Sequence, residues 1–175
     1  LLKKMGFPLK DLIIATNENN ILHRIIKNND FTLFDVVKTN SPSMDITISS
    51  NFERILSEFL DTSSLVDLYQ QIPNKDHKKN LDEEVHKNLS DLFTSMSASS
   101  DEVITQIEKT YNNFNLIIDP HTAVGLVCAE KLGIKGAMCL ACAHPVKFQD
   151  TVKMSINKEL KFEKDFNFDH EEKFD

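Results

Sequence analysis

The chain has 175 residues, 41% of them hydrophobic, and 27 acidic against 20 basic side chains leave a net charge of −7. That is apolar material for one compact core, and the acidic balance excludes the clustered Lys and Arg of a nucleic-acid binder. The longest apolar stretches, at 12–15 and 137–143, fall far short of the roughly 20 residues that span a bilayer. Three cysteines, an odd number, do not make a disulfide framework and point to a reducing compartment, so the expectation is a cytoplasmic protein without nucleic-acid or membrane partners.

In chain order, Leu1 to Gly6 reads as the last turn of a helix closed by a glycine C-cap, so the chain is expected to begin in mid-protein. The apolar run Leu12-Ile13-Ile14-Ala15 predicts a strand buried on both faces. Ile21, Leu22, Ile25 and Ile26 recur at helical spacing up to Asn28-Asn29-Asp30, and 40–43 is a loop. Ser50-Asn51-Phe52-Glu53 reads as a capping box opening a helix with the stripe Phe52, Ile55, Leu56 and Phe59. From Thr62 to Phe114 the pattern is helical throughout, with Leu65, Leu68, Leu89, Leu92 and Phe93, a solvated loop at 75–80 and a second capping box from Ser99 to Glu102. Leu116-Ile117-Ile118, the stretch 122–131 and Met138-Cys139-Leu140-Ala141 predict strand, helix and strand, a βαβ unit. A final helix holds Phe148, Val152, Met154 and Ile156. Residues 1–157 form the folded part and 158–175 a charged, frayed tail. The fold class is α/β with a helix-rich middle segment.

Several residues stand where chemistry is done. Cys139 and Cys142 form a C-x-x-C, but residues three apart on a strand face opposite ways, so no redox or metal role is expected and Cys139 and Cys128 read as core. His121 and His144 each stand beside a proline where a predicted strand meets a helix, the kind of junction at which open α/β folds bind ligands. The plainer alternative is that Asp119 or Thr122 caps the helix and each histidine is a satisfied packing residue. Asn17, Glu18 and Asn19 follow a predicted buried strand, which suits either a ligand site or a helix-entry loop. His23, His77, His86 and His170 read as surface. The four glycines make no phosphate loop.

Six blocks in order and spacing resemble threonine synthase of the fungal and bacterial type. They are Met5-Gly6-Phe7-Pro8, Ile14-Ala15-Thr16-Asn17-Glu18-Asn19, Ser41-Pro42-Ser43-Met44-Asp45-Ile46, Ser49-Ser50-Asn51-Phe52-Glu53-Arg54, Asp119-Pro120-His121-Thr122-Ala123-Val124-Gly125 and Ala143-His144-Pro145-Val146-Lys147-Phe148. The resemblance runs to about Val152. It implies a carboxy-terminal part of a tryptophan-synthase-β-like fold of pyridoxal-phosphate enzymes (fold type II). The implied reaction turns O-phospho-L-homoserine and water into L-threonine and phosphate. The lysine that carries the cofactor and the loop that holds its phosphate belong to the amino-terminal half, so no catalytic residue is expected in these 175, and that half is needed as a partner. Asn17, Glu18, Asn19, His121 and His144 are expected to line the active site. The family usually presents a threonine hydroxyl to the pyridine nitrogen where this chain has Cys142, which makes Cys142 the expected cofactor contact. A phospholyase releasing a keto acid and a non-catalytic remnant of the fold are the alternatives.

Overall fold

The computed structural model describes residues 3, 5–72 and 80–157. Strand β1 (Leu12–Thr16) leads into helix α1 (Ile21–Asn28), followed by the short α2 (Glu53–Leu56), α3 (Thr62–Gln71) and α4 (Glu83–Leu92). Strand β2 (Phe93–Ser97) then precedes α5 (Ser100–Phe114), α6 (Pro120–Lys131) and α7 (Gln149–Ile156). Single 3₁₀ turns lie at Pro42–Met44, Ser50–Phe52 and Pro145–Phe148.

β1 and β2 pair in parallel, Leu12 opposite Phe93 through Thr16 opposite Ser97. Parallel pairing requires a long crossover, here the segment carrying α1 to α4. One core cluster gathers Ile21, Ile25, Ile26, Phe52, Leu56, Leu68 and Leu89 between α1 and its neighbours. A second gathers Val103, Ile107, Val124, Cys128 and Val152 where α5, α6 and α7 meet. A mixed α/β fold was expected and is found, and β1 and α1 stand where the apolar patterns put them, but Leu12 to Ala15 are half-buried rather than buried on both faces.

The middle and the end differ from expectation. The stretch from Thr62 to Phe114 is not one helical run, because residues 93–97 form a strand. Its pairing partner is β1, about 80 residues upstream, and such tertiary pairing overrides local propensity. Among the described residues neither 116–118 nor 138–141 is a strand, so the predicted βαβ unit reduces to its helix, α6. Met138 is 90% and Leu140 77% exposed rather than buried, and no described strand pairs with that segment. Ser50 does not cap: a 3₁₀ turn runs through it into α2, whose N-cap, Phe52, makes no side-chain bond. Ser99 does cap, accepting from the Glu102 amide while the Glu102 carboxylate accepts from the Ser99 amide.

Gly6 has φ of +85° and its amide donates to the Lys3 carbonyl, a turn that glycine tolerates without a Cβ penalty. The helix expected before it, the loop at 75–79 and the tail from 158 lie outside the described residues. No described helix is long and apolar enough to cross a membrane.

Candidate functional site

The site grows from the carboxyl end of β1. Asn17 follows the last residue of the strand, and its side chain is buried, 2% exposed. Its Nδ2 donates to the Asp45 carboxylate at 2.8 Å, to the Thr39 hydroxyl at 2.9 Å and to the Ser41 hydroxyl at 3.0 Å. Its Oδ1 accepts the Asn19 amide at 2.9 Å. Asn19 joins the same carboxylate through Nδ2 at 3.0 Å and pairs with the Val37 backbone through both ends of its amide. Asp45 therefore collects Asn17, Asn19 and both the hydroxyl and the amide of Thr39. Asp45 is half-buried, and these donors replace the water that burial takes from a carboxylate. Segment 37–45 is thereby bound to the strand end.

A second centre forms at the start of α6. Asp119 is the N-cap: its Oδ1 accepts the His121 amide at 2.9 Å and the Thr122 amide at 3.4 Å. The same oxygen takes the His121 Nδ1 proton at 3.0 Å, while the ring's Nε2 accepts the Ser43 amide at 3.1 Å. A backbone amide can only donate, so the imidazole carries its proton on Nδ1 and a lone pair on Nε2. The ring also packs on Phe148, with centroids 4.6 Å apart. The other oxygen, Oδ2, accepts the Thr122 hydroxyl and the Ala143 amide. Burial alone would raise the Asp119 pKa, but the hydrogen bonds from His121 and Thr122 overcome it and bring it down to about 2.

The two centres are continuous. Asn17 holds Ser41, the turn from Pro42 carries Ser43 onto His121, His121 reaches Asp119, and Asp119 with Thr122 holds Cys142 and Ala143. Asn17, Asn19, His121 and Cys142 are thus brought into one network. Glu18 is not part of it, since its carboxylate accepts the Ser100 amide at 2.8 Å and serves the first turn of α5. His144 caps the 3₁₀ turn at 145–148, its Nδ1 accepting the Val146 amide at 3.3 Å, and is exposed.

The cysteines differ from one another. Cys128 is fully buried, its thiol donates to the Met96 carbonyl, and burial pushes its pKa up to about 11. Cys139 is half-buried rather than core, its thiol directed at the Thr122 carbonyl at 3.6 Å. Cys142 is exposed, its thiol within 3.5 Å of the Leu140 carbonyl. Partial burial, and then the Asp119 carboxylate, raise its pKa, so the thiol stays protonated at neutral pH. The premise that these two sulfurs face opposite sides of a strand fails because the segment is not a strand.

Sequence reasoning missed Thr39, Ser41 and Asp45 as the network's acceptors. A carboxylate three residues past Ser41-Pro42, downstream of a polar strand end, was the available signal. His23 and His86 are half-buried rather than surface: His23 Nδ1 lies 2.9 Å from the Ser95 hydroxyl, and His86 Nε2 lies 3.0 Å from both the Ile25 and Ile26 carbonyls at the end of α1. Among the described residues no three potential ligands gather for a metal ion.

Residues 122–174 match the family model described as "Threonine synthase, C-terminal". The chain is 38% identical to threonine synthase of Saccharomyces cerevisiae over 186 residues, which covers 93% of this chain and 36% of that protein. Threonine synthase of Pseudomonas aeruginosa is 33% identical over 162 residues, covering 87% and 34%. Threonine synthase-like 1 of Homo sapiens is 31% identical over 160 residues, covering 88% and 21%. In structure, the PLP-bound threonine synthase of Brucella melitensis superposes with a TM-score of 0.81 at 34% identity, covering 91% of this chain and 35% of that one. The yeast enzyme gives 0.79 at 36% identity, covering 92% and 36%. The chain therefore spans about a third of the length of these threonine synthases. The matched structures place it in fold type II of the pyridoxal-phosphate enzymes. The chain belongs to the threonine synthase family, and what it matches there is the carboxy-terminal part.

Proposed function

We propose that this chain is the part of a pyridoxal-phosphate-dependent threonine synthase that meets the cofactor ring, in an enzyme that converts O-phospho-L-homoserine and water to L-threonine and phosphate. In that reaction the Cγ–O bond breaks, phosphate leaves and water adds at Cβ. When bound, the cofactor supplies the electron sink for charge developing on the substrate carbons. The observation that carries the reading is Cys142: an exposed thiol, kept neutral, on a backbone fixed by Thr122. A neutral thiol can donate to a pyridine nitrogen or accept from it, so the residue present fits the ring, though as a weaker partner than a hydroxyl.

The other residues hold that point in place. His121 and Asn17 join the cofactor-facing segment to the 37–45 loop, Asn19 fixes that loop, and Glu18 anchors the neighbouring helix. His144 is exposed two residues beyond Cys142, which supports it as a residue lining the active site. Catalytic and phosphate-holding groups come from the rest of the fold, and so does cover for the exposed Met138 and Leu140. Three unpaired cysteines favour a cytoplasmic setting.

The test uses the protein of the complete reading frame, loaded with pyridoxal phosphate and given O-phosphohomoserine. Threonine and phosphate in equal amounts are expected. The Cys142 departure and the likeness to threonine synthase-like 1 make phosphate with a keto acid the informative contrary result.

A further inference from the structure

The two oxygens of Asp119 serve different segments. Oδ1 accepts the amides of His121 and Thr122, which is all a helix cap requires. Oδ2 does nothing for the helix backbone. It takes the Thr122 hydroxyl proton, and so turns a Thr122 lone pair toward the Cys142 amide, which donates to it at 3.0 Å. Oδ2 also accepts the Ala143 amide at 3.3 Å. The Thr122 carbonyl faces the Cys139 thiol at 3.6 Å. The amides on both sides of the Cys142 α-carbon are therefore tied to one turn of α6. No strand ladder holds the 137–141 segment among the described residues, so these bonds set the direction of the Cys142 side chain.

We propose that Thr122, held by Asp119, is a positioning residue that aims Cys142 at the cofactor ring. This rests on the reading of Cys142 given above. Thr122 touches neither cofactor nor substrate in this role, and its effect passes through residue 142, whose amide it accepts and whose thiol its hydroxyl also meets.

The test uses the pyridoxal-phosphate holoenzyme of the complete reading frame, with cofactor affinity, the absorbance spectrum of the bound cofactor and the melting temperature measured together. Thr122→Val keeps the shape and removes the hydroxyl. It is expected to shift the cofactor band and to weaken cofactor binding about threefold to tenfold, the range that loss of one neutral hydrogen bond allows. Thr122→Ser is expected to restore both, and adding Thr122→Val to Cys142→Ala is expected to produce no further spectral shift. If Thr122→Val yields no holoenzyme, Thr122→Cys carries the same comparisons with a longer and weaker acceptor. A lowered melting temperature with spectrum and affinity unchanged overturns the positioning role, as does a full additional shift in the Cys142→Ala background. If Cys142→Ala is itself spectrally identical to the parent, the ring contact fails and the proposal with it. A shifted Cys142→Ala beside an unchanged Thr122 variant overturns the positioning alone.

Discussion

The sulfur of Cys139 fills the space that a side chain at Gly125 would need: a Cβ on Gly125 would stand 2.7 Å from it. Gly125 lies within α6, where alanine in place of glycine ordinarily gains about 0.5–1 kcal/mol. Here that gain is offset, because the thiol must rotate away and give up the Thr122 carbonyl. In a Cys139→Ala background the sulfur is gone, and Gly125→Ala should stabilise by roughly its ordinary amount. Unfolding of the four proteins in this double-mutant cycle checks the sign. Equal effects in both backgrounds would count against the close approach.

Asn17 should be among the costliest polar side chains to remove. Asn17→Ala leaves half-buried Asp45 and Thr39 and buried Ser41 short of a shared donor, with an expected loss of about 1–3 kcal/mol. Asn17→Asp should cost more, since a second carboxylate would face Asp45. Denaturant unfolding of both variants ranks them, and an Asp variant as stable as the parent would contradict the network.

Asp119 predicts an acid limb. Its folded pKa of about 2 lies below the ordinary carboxylate value of 3.8. Its contribution is thus fully present above the unfolded pKa and is lost as pH falls through the folded one. A shift of this size is on the order of 2 kcal/mol. Asp119→Asn should lower stability near neutrality, because an amide has a single accepting oxygen where Asp119 accepts at two. It should also flatten the stability profile between about pH 4 and pH 2 relative to the parent. Chemical unfolding at pH 6 and across that window measures both, and parallel profiles would exclude Asp119 as the titrating group.

Prepared alone, the 175-residue chain should self-associate. Met138 is 90%, Leu140 77%, Phe114 75% and Leu116 55% exposed, which is apolar surface that water does not favour. Met138→Lys with Leu140→Gln should reduce the association without restoring cofactor binding. A monodisperse monomer of the unmodified chain in size-exclusion chromatography, with a sharp thermal transition, would contradict the expectation.

How much of this was legible in the sequence depended on where each residue's partner lay. β1 and α1 declare themselves through local apolar period, and Ser99 with Glu102 closes its capping box within four residues. That box also requires an extended N-cap, which should have interrupted the long helical reading just after β2. Phe93–Ser97 alternates too weakly to be read as a strand, and only pairing with β1 makes it one. Met138 to Ala141 has a strand's composition without a described partner. Asp119 was legible as a cap, but the second use of its carboxylate depends on residue 143 returning beside α6, which no local pattern reports.

Whether Cys142 faces the cofactor ring is decided most directly by the pyridoxal-phosphate affinity and turnover of the complete enzyme carrying Cys142→Thr, Cys142→Ser or Cys142→Ala, beside Cys139→Ser as a control. Both hydroxyl variants should retain affinity, because either can donate to the ring nitrogen or accept from it. Cys142→Ala should lose about 0.5–1.5 kcal/mol of cofactor binding and reduce turnover, while Cys139→Ser, its side chain turned to the Thr122 carbonyl, should leave affinity unchanged. A Cys142→Ala enzyme that binds the cofactor and turns over like the parent would contradict the assignment.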